Sequence, residues 1–248
     1  MYTQPASTLT PAVIIYLIDI SDSMNEPCGS TTKIAMVNLA LRAAIKDMVR
    51  RSMRDGILQR RYKLAVVAYN NNVQDVLGGV RDLPELLQNG VPDLMASGAT
   101  DTAAGFTQVE SLLSRQLPEL QQCPAPLVCH LTDGLFTTAD PTSIVRRIRA
   151  MTVIDGPVLL ENIYVADGML RRPAQDWQQW EGVLKPNDLA DDYARFLFRL
   201  SSPLPETYRQ NINNYGYHLQ SGAAMFFPGS TSDLIRLAFV VSAATQLK

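Results

Sequence analysis

The chain has 248 residues, 46% apolar and 19% charged, enough to bury a full hydrophobic core within one large domain. Its 22 Lys and Arg against 24 Asp and Glu leave a formal charge of −2, and no long run carries one sign. That balance argues against a nucleic-acid binder working through a basic face. No stretch reaches the roughly 18 apolar residues of a membrane span, and residues 1–10 lack a basic segment followed by an apolar one. A cytoplasmic protein with no membrane partner is therefore expected. Three cysteines, Cys28, Cys123 and Cys129, are too sparse for a disulfide framework. Cys129 lies in a strand pattern and reads as a buried inert thiol, and neither His130 nor His218 can be set beside Cys28 to activate it.

Strand and helix patterns alternate along most of the chain, as in an α/β fold with a largely parallel sheet. After a tail over residues 1–11, residues 13–18 form a continuous apolar run, suited to a central strand covered on both faces. Ile34, Val37, Leu41, Ile45 and Met48 recur at helical spacing and predict a helix from Lys33 to about Arg54. Residues 62–69 read as the second strand. Asn70-Asn71-Asn72 and Gly78-Gly79 bracket a short third strand over 73–77, antiparallel through a hairpin. A helix over 102–117 precedes the fourth strand, 126–132. Pro141 suits the first turn of a helix to about Met151, capped by Asp140, and residues 158–165 form the fifth strand.

Between 167 and 222 the alternation breaks down around one helix, about 188–200. This is a long connection that carries Trp177 and Trp180, whose preferred role is to cover the sheet edge. Residues 223–227 form a sixth strand. Ser230-Thr231-Ser232-Asp233 resembles a capping box opening a last helix with Leu234, Leu237, Ala238 and Val241 on one face. No internal repeat is visible, and one domain over 1–248 is expected.

The chemistry gathers in three segments: Asp19-Ile20-Ser21-Asp22-Ser23, Ser97-Gly98-Ala99-Thr100-Asp101-Thr102, and Leu131-Thr132-Asp133-Gly134. In an open parallel sheet, ligands lie outside the carboxyl ends of the strands where the strand order reverses. With order 3-2-1-4-5-6, Asp19 ends the first strand and Asp133 follows its neighbour, the fourth, so both carboxylates face one crevice that Thr100 closes from a third loop. Gathered carboxylates repel, so either their pKa values rise or a cation fills the gap, and the hydroxyls alongside favour the cation. The donors are all oxygen, which favours Mg²⁺ or Mn²⁺ over Zn²⁺. Asp101, Thr102 and Asp140 read as helix caps and Glu26 as a solvated loop charge.

Taken jointly, the three segments resemble the metal-ion-dependent adhesion site of von Willebrand factor type A (VWA) domains. The resemblance implies a three-layer, doubly wound, Rossmann-like fold whose mostly parallel six-stranded sheet carries one antiparallel edge strand. It further implies that Ser21 and Ser23 bind the metal directly, Thr100 directly or through water, and Asp19 and Asp133 largely through water, with one position left for an acidic residue of a partner. Asp22 stands where the family usually has Gly; it either points to solvent or adds negative charge beside the metal. The segments Ser202-Pro203-Leu204-Pro205-Glu206-Thr207-Tyr208 and Gly222 to Gly229 look like bacterial, intracellular TerY-like proteins. Such proteins are associated with a serine/threonine kinase and a PP2C-type phosphatase in stress or tellurium-resistance systems. An adaptor for a MoxR-type or chelatase AAA+ ATPase is the alternative. A metal-dependent phosphohydrolase is disfavoured, because Ser21 replaces the second Asp such sites need and no well-placed Lys is evident. No phosphate-binding Gly-rich loop is present. In some family members the last helix shifts on ligand binding, and the same is hypothesised for residues 230–246.

Overall fold

The computed structural model describes residues 1–134, 136–231, 234–235, 237–239 and 245–247. Its centre is one sheet of seven strands: β1 (Ala12–Asp19), β2 (Tyr62–Tyr69), β3 (Val73–Asp75), β4 (Arg81–Asp82), β5 (Leu127–Thr132), β6 (Leu159–Tyr164) and β7 (Phe226–Pro228). The order is β7-β6-β5-β1-β2-β3, with β4 also paired to β2. This is the expected 3-2-1-4-5-6 arrangement plus one strand. β1 pairs in parallel with both β2 and β5, and β5, β6 and β7 continue in parallel.

The six-strand expectation is corrected at the open side of β2. There two short antiparallel strands share one edge: β3 pairs with Val67, Ala68 and Tyr69, and β4 with Lys63 and Leu64. The chain turns between them through Gly78 and Gly79, both at positive φ, a conformation with little cost for glycine. That turn ends β3 at Asp75, two residues before the expected end.

Alternation along β1 explains why the sheet is covered on both faces. Ile14, Tyr16 and Ile18 point into one core with Val37, Leu41 and Met48 of α1 (Lys33–Ser52), while Val13, Ile15 and Leu17 point into a second core. The second core receives Phe106, Val109 and Leu113 of α3 (Thr102–Gln116) and Val145 and Ile148 of α4 (Thr142–Ala150); α2 (Leu83–Asn89), on the first face, was not anticipated. Asp82 caps α2 by accepting from the Glu85 N–H, and Pro84 sits in its first turn. The expected helix over 188–200 forms as α5 (Asp192–Leu200), starting later because Asp191 is its cap, accepting from the Ala194 N–H at 2.7 Å. A further helix, α6 (Glu206–Asn213), follows Pro205.

α3 lies close to the sheet at Gly105. A β-carbon there would come within 2.9 Å of Tyr69 Cγ and 3.1 Å of Leu17 Cδ1. Gly105→Val is therefore expected to cost about 1–3 kcal/mol through overpacking, read as a lower urea midpoint at unchanged slope.

Within the connection over 167–222, Trp180 covers the sheet edge at β7, with Trp177 packed against it. Trp180, 9% exposed, meets Trp177 edge-on at 5.6 Å and Phe227 of β7 at 6.0 Å. The sixth strand begins at Phe226 instead of 223, because Ala224 makes only an isolated antiparallel bridge to Pro203. Thr231 accepts from the Leu234 N–H at 3.3 Å, and residues 234–235 and 237–239 are helical. Ser232, Asp233 and Val241, and with them the proposed capping box and the hypothesised helix shift, fall wholly or partly outside the described residues.

Candidate metal centre

Strand order reverses between β1 and β5, and the polar segments converge at the carboxyl ends of these two strands. Asp19, the last residue of β1, is fully buried. Its Oδ1 accepts from the Ser21 N–H at 2.9 Å and its Oδ2 from the Thr132 hydroxyl at 2.8 Å, so the carboxylate is fixed from its own following loop and from β5. Burial raises its pKa above the ordinary carboxylate value and the neighbouring Asp133 adds to that, outweighing the bonds from Ser21 and Thr132.

Beyond Asp19 the chain makes a 3₁₀ turn over Asp22–Asn25, anchored by the fully buried Met24. The turn brings Ser21 Oγ to 3.2 Å from Ser23 Oγ, and the Ser23 hydroxyl donates to Asp133 Oδ1 at 2.7 Å. Four of the five expected residues, Asp19, Ser21, Ser23 and Asp133, thus lie in one hydrogen-bonded cluster. Thr100 is buried in the third loop, which is tied to the first: Ser97 N–H donates to the Ile20 carbonyl and Asp22 N–H to the Gly98 carbonyl. Its own carbonyl accepts from the N–H and hydroxyl of Thr137. Gly98 has φ +77°, a backbone conformation that residues with a side chain rarely adopt, so this turn favours glycine. Asp22 is exposed, in agreement with the solvent-facing alternative.

Asp101 caps α3 as expected, whereas Thr102 is the first residue of α3 instead of a cap, and Pro141, not Asp140, holds the cap position of α4. Asp101 accepts from the Ala104 N–H and Asp140 from the Thr142 N–H. Cys28 is half-buried, with its thiol directed at the Ser230 carbonyl, 3.3 Å away, and burial raises its pKa, which disfavours a reactive thiolate.

One residue was not expected, and it overturns the sequence reading that no lysine is well placed at the site. Spacing treats Lys33 only as the first residue of α1, yet its ammonium lies 2.7 Å from Asp133 Oδ2 and 2.5 Å from Glu26 Oε2. Glu26 is solvated, as read from sequence, but paired. Burial works against the charge on Lys33, and the bonds to Asp133 and Glu26 overcome it and hold the ammonium above its ordinary pKa. The available signal was its position, since a cation at a helix N-terminus opposes the helix dipole and calls for an anionic partner.

The donor set fits a hard divalent cation. It comprises two carboxylates and several hydroxyls; among the described residues no group of three or more His, Cys, Asp or Glu side chains could hold a metal ion, so the hydroxyls are needed to complete a donor set.

A doubly wound α/β sheet with an oxygen-lined polar cluster at its switch point defines the class. Within that class the fold is of the VWA type, and residues 14–135 match the family model for the von Willebrand factor type A domain. Three solved structures share the fold at low identity. The pilus adhesin SpaC from Lactobacillus rhamnosus GG is 10% identical with a TM-score of 0.59, covering 95% of this chain and 30% of its own. The PilB minor pilin from Streptococcus sanguinis is 10% identical with a TM-score of 0.53, covering 93% and 60%. The SpRpn10 VWA domain is 11% identical with a TM-score of 0.52, covering 92% and 93%. The chain thus spans less than two thirds of either pilus protein. No curated protein sequence matches it. Among the described residues no helix is long and apolar enough to cross a membrane.

Proposed function

We propose that the chain is a metal-dependent protein-interaction module, with Mg²⁺, or Mn²⁺ in its place, held by Ser21, Ser23 and Thr100 and backed by Asp19 and Asp133. The carrying observation is the single cluster that joins Asp19, Ser21, Ser23 and Asp133 at the switch point of the sheet. A divalent ion there supplies an electrophilic corner for an acidic side chain of a partner, because neutral hydroxyl donors leave its charge largely uncompensated. Recognition is favoured over turnover. In support, Asp19 at the end of β1 is fully buried and each of its oxygens accepts a hydrogen bond, a poor position for a nucleophile that must meet an incoming phosphate.

The finer reading is a cytoplasmic adaptor of the bacterial TerY-like kind, serving a serine/threonine kinase and a PP2C-type phosphatase. Its support is the resemblance of residues 202–208 and 222–229. Titration calorimetry tests the metal step: Mg²⁺ is expected to bind the wild type, with binding abolished in Ser21→Ala/Ser23→Ala. Partner retention on the immobilised protein is then expected to vanish in EDTA. Retention equal with and without EDTA would refute the reading.

A further inference from the structure

We propose that Lys33 is a tethered counter-cation of the metal centre: its ammonium neutralises Asp133 in the metal-free protein and weakens the hold on a divalent ion, which must displace or tolerate it. The inference rests on the metal reading above and adds a residue which that reading does not contain.

Three observations carry it. The ammonium is shared between Asp133 Oδ2 at 2.7 Å and Glu26 Oε2 at 2.5 Å, while the other oxygen of Asp133 accepts from the Ser23 hydroxyl at 2.7 Å. One carboxylate therefore joins the lysine directly to a candidate metal donor. The Asp133 side chain is 1% exposed and that of Lys33 14%, so water screens their attraction only weakly, whereas Glu26 is 62% exposed.

The placement is also built in. The strands Pro27–Cys28 and Thr31–Thr32 pair as a hairpin, and the Lys33 N–H donates to the Glu26 carbonyl at 3.1 Å, so backbone geometry sets Glu26 beside Lys33 whatever their side chains do. The Thr32 hydroxyl then caps α1, fixing Lys33 as its first residue. No acid lies in the first turn of α1, so the dipole there repels the ammonium and leaves Asp133 and Glu26 as its compensation.

Glu26 gives the lysine a second partner nearer solvent. An ion approaching the serines repels the ammonium, and the lysine can release Asp133 without losing every counter-charge. The pair Lys33–Glu26 would then act as a movable arm whose inner position competes with the metal.

The test is Mg²⁺ and Mn²⁺ titration calorimetry on the full chain, wild type against Lys33→Met and Glu26→Gln, with thermal unfolding in EDTA and in Mg²⁺. Removing a unit charge a few ångströms from a half-buried ion is expected to tighten binding by about tenfold in Lys33→Met. Glu26→Gln, which leaves the ammonium to Asp133 alone, is expected to weaken it. In EDTA, Lys33→Met is expected to unfold at a lower temperature than the wild type, and Mg²⁺ to reverse the order. A structural ion pair alone would lower stability in both conditions and leave metal affinity unchanged. Equal or weaker metal binding by Lys33→Met, with the wild type binding normally, would overturn the inference and leave the metal centre standing. Absence of binding in both would overturn the two together.

Discussion

Asp19→Asn is expected to separate two properties that usually fall together. Mg²⁺ affinity drops by about 10- to 100-fold, the usual cost of losing a group that supports the metal donors, while the metal-free protein becomes harder to unfold. The reason lies in what Asp19 costs without a cation. Its carboxylate is fully buried beside Asp133, and burial already pushes its pKa up. Asparagine preserves the geometry: its carbonyl can accept from Ser21 N–H, and its amide can donate to the Thr132 oxygen, whose hydroxyl also lies 3.1 Å from the Gly134 carbonyl. The charge disappears and the hydrogen bonds stay. Calorimetry with Mg²⁺ and urea unfolding in EDTA read the two effects. A variant less stable than wild type in EDTA would show that the carboxylate is a structural anchor instead of a cation seat.

The second large effect is a loss of stability in mild acid centred on His130. This imidazole is fully buried on β5, with Nε2 at 2.8 Å from the Tyr69 hydroxyl and Nδ1 at 2.8 Å from Asn162 Oδ1. The amide of Asn162 in turn donates to the Ser201 hydroxyl and the Leu197 carbonyl, which ties α5 to the sheet. Burial lowers the His130 pKa to about 4, against 6.5 for a free imidazole. The unfolded chain therefore takes up a proton that the folded chain refuses. The contribution is complete above pH 6.5, is lost as pH falls from 6.5 toward 4, and is absent below. Its ceiling is about 3 kcal/mol, given 1.36 kcal/mol per pH unit. The check is the stability difference between wild type and His130→Gln from pH 7.5 to 4, with the wild type falling more steeply; parallel profiles would remove His130 as the cause.

The doubly wound order was legible because apolar runs at 13–18, 62–69 and 126–132 are long enough to be read as buried strands, and all three form. Asp19 and Asp133 were legible as a pair because they stand at or just past the ends of neighbouring strands, whereas the meeting of Ser21 with Ser23 depends on the 3₁₀ turn and was legible only through the resemblance of their segment to a known motif. Lys33 was not, because a helix-spacing argument looks along the buried face of α1 and is silent on its N-terminal residue. α2 and α6 escaped for a related reason. Seven or eight residues give too few turns for a period to show, and their starts are set by Asp82 and Pro205. The added strand β4 is two residues long and exists through its register with Lys63 and Leu64. Nothing local marks it.

The paired short strands on the flank of β2 bear on how the molecule can associate. With β3 and β4 splitting that flank and a three-residue β7 on the other, neither margin offers, among the described residues, a long row of free backbone donors and acceptors to a visiting chain. Growth of the sheet from one molecule into the next is discouraged on both sides. Encounters with other molecules are left to loop tips and helix surfaces.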